Sequence, residues 1–238
     1  AVDPEGFFIS KTETGEPVAS VAAIRHGEDY GYIGLYICAP QFRGRGHGLA
    51  VFRHAMDRLA GRIVGLDAVP EQQTNYAKLG FEVAYQTSRY EVVVAGGGPS
   101  STPPAGEGEQ GAVVVEKLGQ KNAELVLNFD RGHVLVPRTT HFIRTRLSGP
   151  GHATLVAIEV GSVTGYGVLR PSAEGARIGP LFANSAKVAE LLLMGLVEST
   201  SPTTKIVIGI PEPNDEAVHL AERLGFIKVI QGSHWSCG

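Results

Sequence analysis

Short runs of alternating apolar and polar residues are interleaved with stretches of helical spacing along this chain, and the sequence runs through that order twice. Residues 7–9 and 17–25 read as strands divided by a turn at Gly15, and Asp29-Tyr30-Gly31 turns into a third strand that ends at Ala39-Pro40. Along the third strand Ile33, Leu35 and Ile37 fall on one face and Tyr32, Gly34, Tyr36 and Cys38 on the other. Leu49, Phe52, Ala55, Met56 and Leu59 then recur at helical spacing, with Arg53, His54, Asp57 and Arg58 on the opposite side. That pattern predicts a helix packed on the sheet. A short strand over 63–69 ends at Pro70, a second helix over 72–79 is stopped by Gly80, and 81–94 supplies the closing strands.

Residues 96–111, GGGPSSTPPAGEGEQG, cannot pack a core and read as a linker between domains at 1–95 and 112–238. Beyond it come a strand at 113–115, helical stretches at 123–129 and 136–147, strands at 154–159, 165–170 and 176–181, a helix face carried by Val188, Leu191, Leu192, Met194 and Gly195, and a strand at 205–210. The repeat is clearest near its end. Ile210-Pro211-Glu212 matches Val69-Pro70-Glu71, and Leu224-Gly225-Phe226 matches Leu79-Gly80-Phe81.

Composition narrows the class without naming a reaction. A chain of 238 residues with 43% hydrophobic and 19% charged residues is long enough for two globular α/β domains, each with its own core. The formal net charge of -3 gives no electrostatic reason to expect nucleic acid or an anionic membrane as partner. Two cysteines, Cys38 and Cys237, support neither a disulfide framework nor a metal cluster, and no apolar run approaches the ~18 residues of a membrane span. The expectation is a cytoplasmic, unexported protein without a metal.

The informative stretch is 32–48, YIGLYICAPQFRGRGHG. An apolar strand leads through a glycine-rich loop into a helix, so backbone N–H groups converge at a helix N-terminus where the dipole also favours anions. Gly44, Gly46 and Gly48 keep Cβ atoms out of the way, and Arg43 and Arg45 add positive charge. A polyphosphate is the expected ligand. The loop closes His47-Gly48-Leu49, without the Gly-Lys-Ser/Thr of an ATP or GTP loop. A dinucleotide fingerprint would need glycine where Leu49 stands, although Asp67 lies near the spacing of its acidic residue.

Gln41-x-x-Gly44-x-Gly46, framed by Cys38, Pro40 and Arg43, resembles the acyl-CoA pyrophosphate loop of the GNAT superfamily of N-acetyltransferases, and Tyr76-x-Lys78-x-Gly80-Phe81 is similar to that family's Tyr-x-Lys-x-Gly-Phe signature. The resemblance implies two GNAT-like domains, each a mixed, mainly antiparallel sheet with helices on both faces. The family's first strand and the two helices that usually precede these strands are absent from this sequence. It further implies an acetyl-CoA-dependent N-acetyltransferase in which an amine attacks the thioester directly. Tyr76 takes the part of general acid to the departing thiolate. The backbone at Tyr36, Ile37 and Cys38 meets the pantetheine arm, and Gln41, Arg43, Gly44, Arg45, Gly46, His47 and Gly48 form the pyrophosphate loop. The family's pantetheine asparagine falls near Val69-Pro70 here, which leaves Gln72, Gln73 or Asn75 as substitutes.

The family's frequent glutamate on the third strand is replaced by Tyr32, Gly34 and Tyr36, so the general base is Asp67 or water. His26, His47 and His54 read as surface or loop residues, and Cys38 as a small buried hydrophobe. In the second half, Ile178 to Asn184 has one glycine and no arginine, and Ala221 stands at the tyrosine position. That half resembles the degenerate C-terminal half of certain bacterial two-domain GNAT proteins, with a homodimer left open. A non-catalytic acyl-CoA-binding or ligand-sensing protein is the alternative reading.

Overall fold

The computed structural model describes residues 3–94, 112–134 and 140–238. The expected linker at 96–111 lies outside them, as does the start of the helix expected over 136–147. The described residues gather into two compact units that do not follow chain order. The first takes 3–86 together with 232–238, and the second takes 87–94, 112–134 and 140–231. Both therefore cross the linear boundaries that composition gives.

In chain order the elements are β1 (Phe7–Lys11), β2 (Pro17–His26), β3 (Tyr30–Cys38), α1 (His47–Arg58), β4 (Ile63–Ala68), α2 (Gln73–Ala77), β5 (Glu82–Val93), β6 (Val114–Lys117), α3 (Gln120–His133), α4 (Thr140–Ser148), β7 (Ala153–Glu159), β8 (Ser162–Ser172), β9 (Gly175–Ala183), α5 (Ala186–Glu198), β10 (Lys205–Pro211), α6 (Asp215–Arg223) and β11 (Ile227–Cys237). Residues 81–94 thus hold one long strand, β5, and the helix expected over 123–129 runs further at both ends.

The first unit has strand order β1-β2-β3-β4-β11. Its pairs are antiparallel except β3 with β4, which run parallel because α1 crosses between them. The β11 residues involved are Ser233 to Cys237, paired with Ala68 to Val64. Val51, Phe52 and Ala55 of α1 pack with Ile33, Val64, Leu66, Tyr76, Phe81 and Trp235 into one core. At the rim, Arg58 forms a two-pronged ion pair with Asp3 at 2.9 and 3.0 Å.

One local irregularity overturns the two-face reading of the third strand. Leu35 adopts φ +50°, and the pairing of β2 with β3 skips between Ser20 and Ala22, so β3 carries one inserted residue. A bulge of this kind reverses side-chain parity. Before it, Ile33 faces α1; after it, Tyr36 and Cys38 do so, and Leu35 and Ile37 are exposed.

The second unit is ordered β5-β10-β9-β8-β7-β6, parallel at β10/β9 and antiparallel elsewhere. Along β8, Tyr166 and Val168 meet Val126 and Leu127 of α3, while Gly165 and Gly167 lie against Val188, Leu192 and Leu196 of α5. This sheet has helices on both faces, and the expected mixed, mainly antiparallel architecture holds.

Trp235 is nearly buried in the first core, and its indole Nε1 has no hydrogen-bond partner among the described residues. Trp235→Ala should destabilise the protein by about 3–5 kcal/mol through cavity formation. Trp235→Phe should cost much less, because it also removes an unsatisfied donor. Urea unfolding followed by far-UV circular dichroism checks both, and equal costs would mean that the indole is not orphaned in solution.

Candidate functional site

After β3 the chain makes a single turn over Pro40–Phe42 and then passes through two left-handed glycines, Gly44 at φ +73° and Gly46 at φ +85°. Such φ values suit glycine, and a Cβ at either position would meet no atom within 4 Å. Gly46 is the N-cap of α1 and offers no side-chain acceptor. The amide of Ala50 bonds the Gly46 carbonyl at 3.0 Å, so the helical amides ahead of it face outward uncapped. Gly48 serves a different need: a Cβ there would lie 2.9 Å from the Tyr36 hydroxyl. The resulting cavity has a volume of about 650 Å³.

Ten of the sequence-selected residues line this cavity: Tyr36, Ile37, Cys38, Arg43, Gly44, Gly46, Gly48, Gln72, Asn75 and Tyr76. Phe42 and Leu49 complete it. Asn75 donates to the Gln72 side chain at 2.9 Å, so of the three proposed substitutes these two stand together. Gln73 turns away and donates to Ser233 Oγ at 3.0 Å. Gln41 donates to Glu16 at 3.3 Å. Neither they nor Arg45 and His47 are in the lining, and His47 lies edge-on to Phe42. Arg43 folds back, its Nε donating to the Cys38 carbonyl at 3.0 Å.

Tyr76 is placed by the way α2 ends. Gly80 takes φ +87°, and the Phe81 amide reaches back to the Tyr76 carbonyl at 3.2 Å, a helix-closing turn that glycine makes possible. The Tyr76 ring packs between Phe52 and Phe81, with centroids 6.0 and 6.1 Å away. Its hydroxyl forms no hydrogen bond with the described residues. Burial raises its pKa, and the neighbouring Tyr36 phenol adds to the shift. Tyr76 therefore keeps its proton throughout the neutral range.

Asp67 stands on the other face of β4, away from the core that holds Tyr76. It accepts from the Tyr32 hydroxyl at 2.7 Å and meets His234 Nδ1 at 2.9 Å. Tyr85 stacks on the His234 ring, centroids 4.9 Å apart at 19°. Burial and the Asp67 charge raise the pKa of Tyr32 and Tyr85, and burial with Tyr85 and Asp67 raises that of Tyr30. His234 escapes a sequence reading because 167 residues separate it from Asp67. The signal that could have found it is the alternation at Ser233, His234 and Trp235, in which a single polar ring stands opposite buried neighbours.

The second unit repeats the scaffold without the opening. Gly225 takes φ +82° and the Phe226 amide bonds the Ala221 carbonyl at 3.0 Å, so Ala221 occupies the place of Tyr76 in the same closing turn. Two of its helices carry a side-chain cap on a leading amide: Ser185 Oγ accepts from Val188 at 3.3 Å in α5, and Asn214 Oδ1 from Ala217 at 3.1 Å in α6. The corresponding cavity measures only about 150 Å³. Among the described residues there is no metal-binding group of three or more His, Cys, Asp or Glu, and no helix long and apolar enough to cross a membrane.

Comparison with known proteins gives a consistent picture. Residues 1–81 match the model of the acetyltransferase (GNAT) family, and 126–234 match that of an acetyltransferase (GNAT) domain. The chain is 30% identical over 228 residues to a holothin acyltransferase of Pseudoalteromonas sp. (strain SANK 73390), covering 96% of this chain and 73% of that protein. Its fold is similar to that of a putative acetyltransferase from Pyrococcus horikoshii, with a TM-score of 0.75 and 24% identity over the whole of this chain and 75% of the other. It is also similar in fold to a tandem GNAT protein from the clavulanic acid biosynthesis pathway, with a TM-score of 0.68 and 15% identity over 98% and 84% of the two chains.

The raised phenols make stability pH-dependent in a set direction. A tyrosine whose folded pKa lies above the unfolded value near 10 contributes fully below pH 10, and that contribution is lost as the pH rises past it. The urea midpoint, read from the emission of Trp235, should stay level from about pH 8 to 9.5 and fall above about pH 10. Tyr32→Phe should flatten that fall. A midpoint insensitive to alkali would show that the phenols ionise freely in the native state.

Proposed function

The chain belongs to the GNAT superfamily of acyltransferases, and from that premise we propose that it transfers an acetyl group from acetyl-CoA to the nitrogen of an amine, in the cytoplasm, with the working site in its first unit. One observation carries the reading: the uncapped, glycine-led end of α1 opens into a cavity of about 650 Å³ that Tyr76 also lines.

The residues present fit CoA. Gly44 and Gly46 leave a cradle that a Cβ would neither brace nor fill, and among the described residues the amides from Gly44 to Leu49 donate to no acceptor, which leaves them for a diphosphate. The pairing of β3 with β4 stops at Ile33 and Leu66, although β3 runs on to Cys38. Backbone groups at Tyr36, Ile37 and Cys38 are thus available on that side to pair with the amides of a pantetheine arm, as an added strand would. Gln72 and Asn75 border the same space. Acetyl-CoA would supply the acyl group in activated form, as a thioester.

Tyr76 would hold its proton toward the sulfur as the C–S bond breaks. Its raised pKa makes it a weaker acid than a thiol, which titrates near 8.5, so its contribution is a hydrogen bond to developing negative charge, completed by proton delivery as the thiolate leaves. In the second unit Ala221 offers no such group, and the ends of α5 and α6 are each capped by their own Ser185 or Asn214 side chain. We assign that unit no transfer. The relative that acts on holothin supplies one specific acceptor to try, beside simpler amines.

Thiol release from acetyl-CoA with tyramine, spermidine, a lysine peptide and holothin tests the proposal, and no release with any amine would favour a CoA-binding protein without transferase activity. Gly46→Asp should weaken CoA roughly tenfold or more by setting a carboxylate against phosphate, while folding normally, because aspartate tolerates a left-handed position with open space around it. Tyr76→Phe should lower kcat roughly 10²-fold with CoA affinity nearly unchanged. Calorimetry should give one CoA per chain; two equivalent sites would make the second unit a working transferase.

A further inference from the structure

We propose that His234, oriented by Asp67, takes the proton from the attacking amine, so that the base of the reaction comes from the far end of the chain. The inference rests on the acyl-transfer reading above and assigns that reaction its missing proton acceptor. All the groups involved lie in the first unit.

The first observation is the wiring of the imidazole. His234 Nδ1 lies 2.9 Å from Asp67 Oδ1, and the other carboxylate oxygen accepts from Tyr32 at 2.7 Å. With the carboxylate ionised, the hydrogen on the ring sits at Nδ1 and the lone pair at Nε2. Among the described residues nothing bonds Nε2. The ring orientation is fixed a second time by the Tyr85 stack. Gly65 makes room beside the ring for the Tyr30 hydroxyl: a Cβ there would collide with that hydroxyl and stand 3.1 Å from Nε2. The His234 side chain is 16% exposed, so a small acceptor can reach it while bulk water is largely held off.

The second observation is position. Asp67 directly follows Leu66, where the parallel pairing of β3 and β4 ends, and Tyr32 directly precedes Ile33, its partner there. The strands part at that point. Tyr36 and Tyr76 stand on the α1 side of the opening, and the Asp67–His234 pair on the other. A thioester carbonyl lying in the gap would be open to an amine from the His234 side.

The step balances. The amine nitrogen forms a bond to the acetyl carbon and the C–S bond breaks, with its electron pair leaving on sulfur. The nitrogen's surplus proton passes to His234 Nε2, the sulfur is protonated from Tyr76, and solvent restores both groups. Neutral His234 is required at the start, so the rate must fall as the imidazole becomes protonated. The titratable groups facing the ring among the described residues are Asp67 from β4, Tyr30 and Tyr32 from β3 and Tyr85 from β5. Of these, the carboxylate is the group that carries charge near neutrality.

The test is the pH–rate profile of thiol release from acetyl-CoA, with tyramine or whichever amine of the panel is turned over fastest. His234→Gln should lower kcat roughly 10²-fold, remove the acidic limb that remains once the ionisation of the amine itself is allowed for, and leave CoA affinity unchanged. Asp67→Asn should lower kcat roughly tenfold with CoA affinity and the amine KM unchanged, since the amide no longer holds the ring hydrogen at Nδ1; a purely structural brace would move affinity and kcat together. A His234→Gln protein that retains the parent's limb and a kcat within a few-fold would overturn the assignment and leave acyl transfer standing. If that variant fails to bind CoA, Asp67→Asn decides: an unchanged kcat overturns the proposal. A parent that binds CoA but releases no thiol with any amine overturns both readings.

Discussion

The first unit depends on the antiparallel pairing of Ser233–Cys237 with β4. Successive residues of that strand point to opposite faces, so three neighbours do three things. Trp235 fills the core, and Ser233, fully buried, accepts from Gln73 at 3.0 Å and donates to Gln86 at 2.7 Å. Gln73 opens α2, the helix that carries Tyr76. His234, between them, looks the other way. The phenol on one face of the sheet and the imidazole on the other are thus held by adjacent residues of one strand, and any shift in its register would disturb both.

The bulge at Leu35 has a matching role on β3. An unbroken alternation would put Tyr32 and Tyr36 on one face. The inserted residue sends Tyr32 to the Asp67 side and Tyr36 to the cavity, where its ring meets Phe52 at 5.1 Å. A left-handed leucine is strained, and strain of this kind persists only where surrounding structure enforces it. Here the enforcing structure is the β2 pairing on both sides of the skip.

What could be read from the sequence was local in origin. The loop from Arg43 to Gly48 announced itself through residues a few positions apart, and so did the Leu-Gly-Phe ends of α2 and α6, whose glycine and phenylalanine amides reach back to equivalent carbonyls. Helix faces also followed from spacing, although Leu49 proved to border the cavity instead of the core. Two kinds of feature were hidden. The bulge was invisible because strict alternation is the only rule a strand pattern offers, and the residues around Leu35 satisfy it. The Asp67 environment was invisible because its partner belongs to a strand laid down 167 residues later. Gln73 shows the same limit: its spacing put it near the cavity, and a buried serine from the far end of the chain turned it aside.

The borrowed strand also orders events during synthesis. A ribosome adding about 5–20 residues per second needs on the order of ten seconds to pass from Asp67 to His234. For that interval the nascent first unit has an open edge at β4 and no Trp235 in its core, while nearly all of the second unit is being made. Premature edge-to-edge association is the hazard of such a wait. The same delay means that a ribosome-bound chain, even with its glycine loop long since emerged, still lacks the residues that complete the sheet around it.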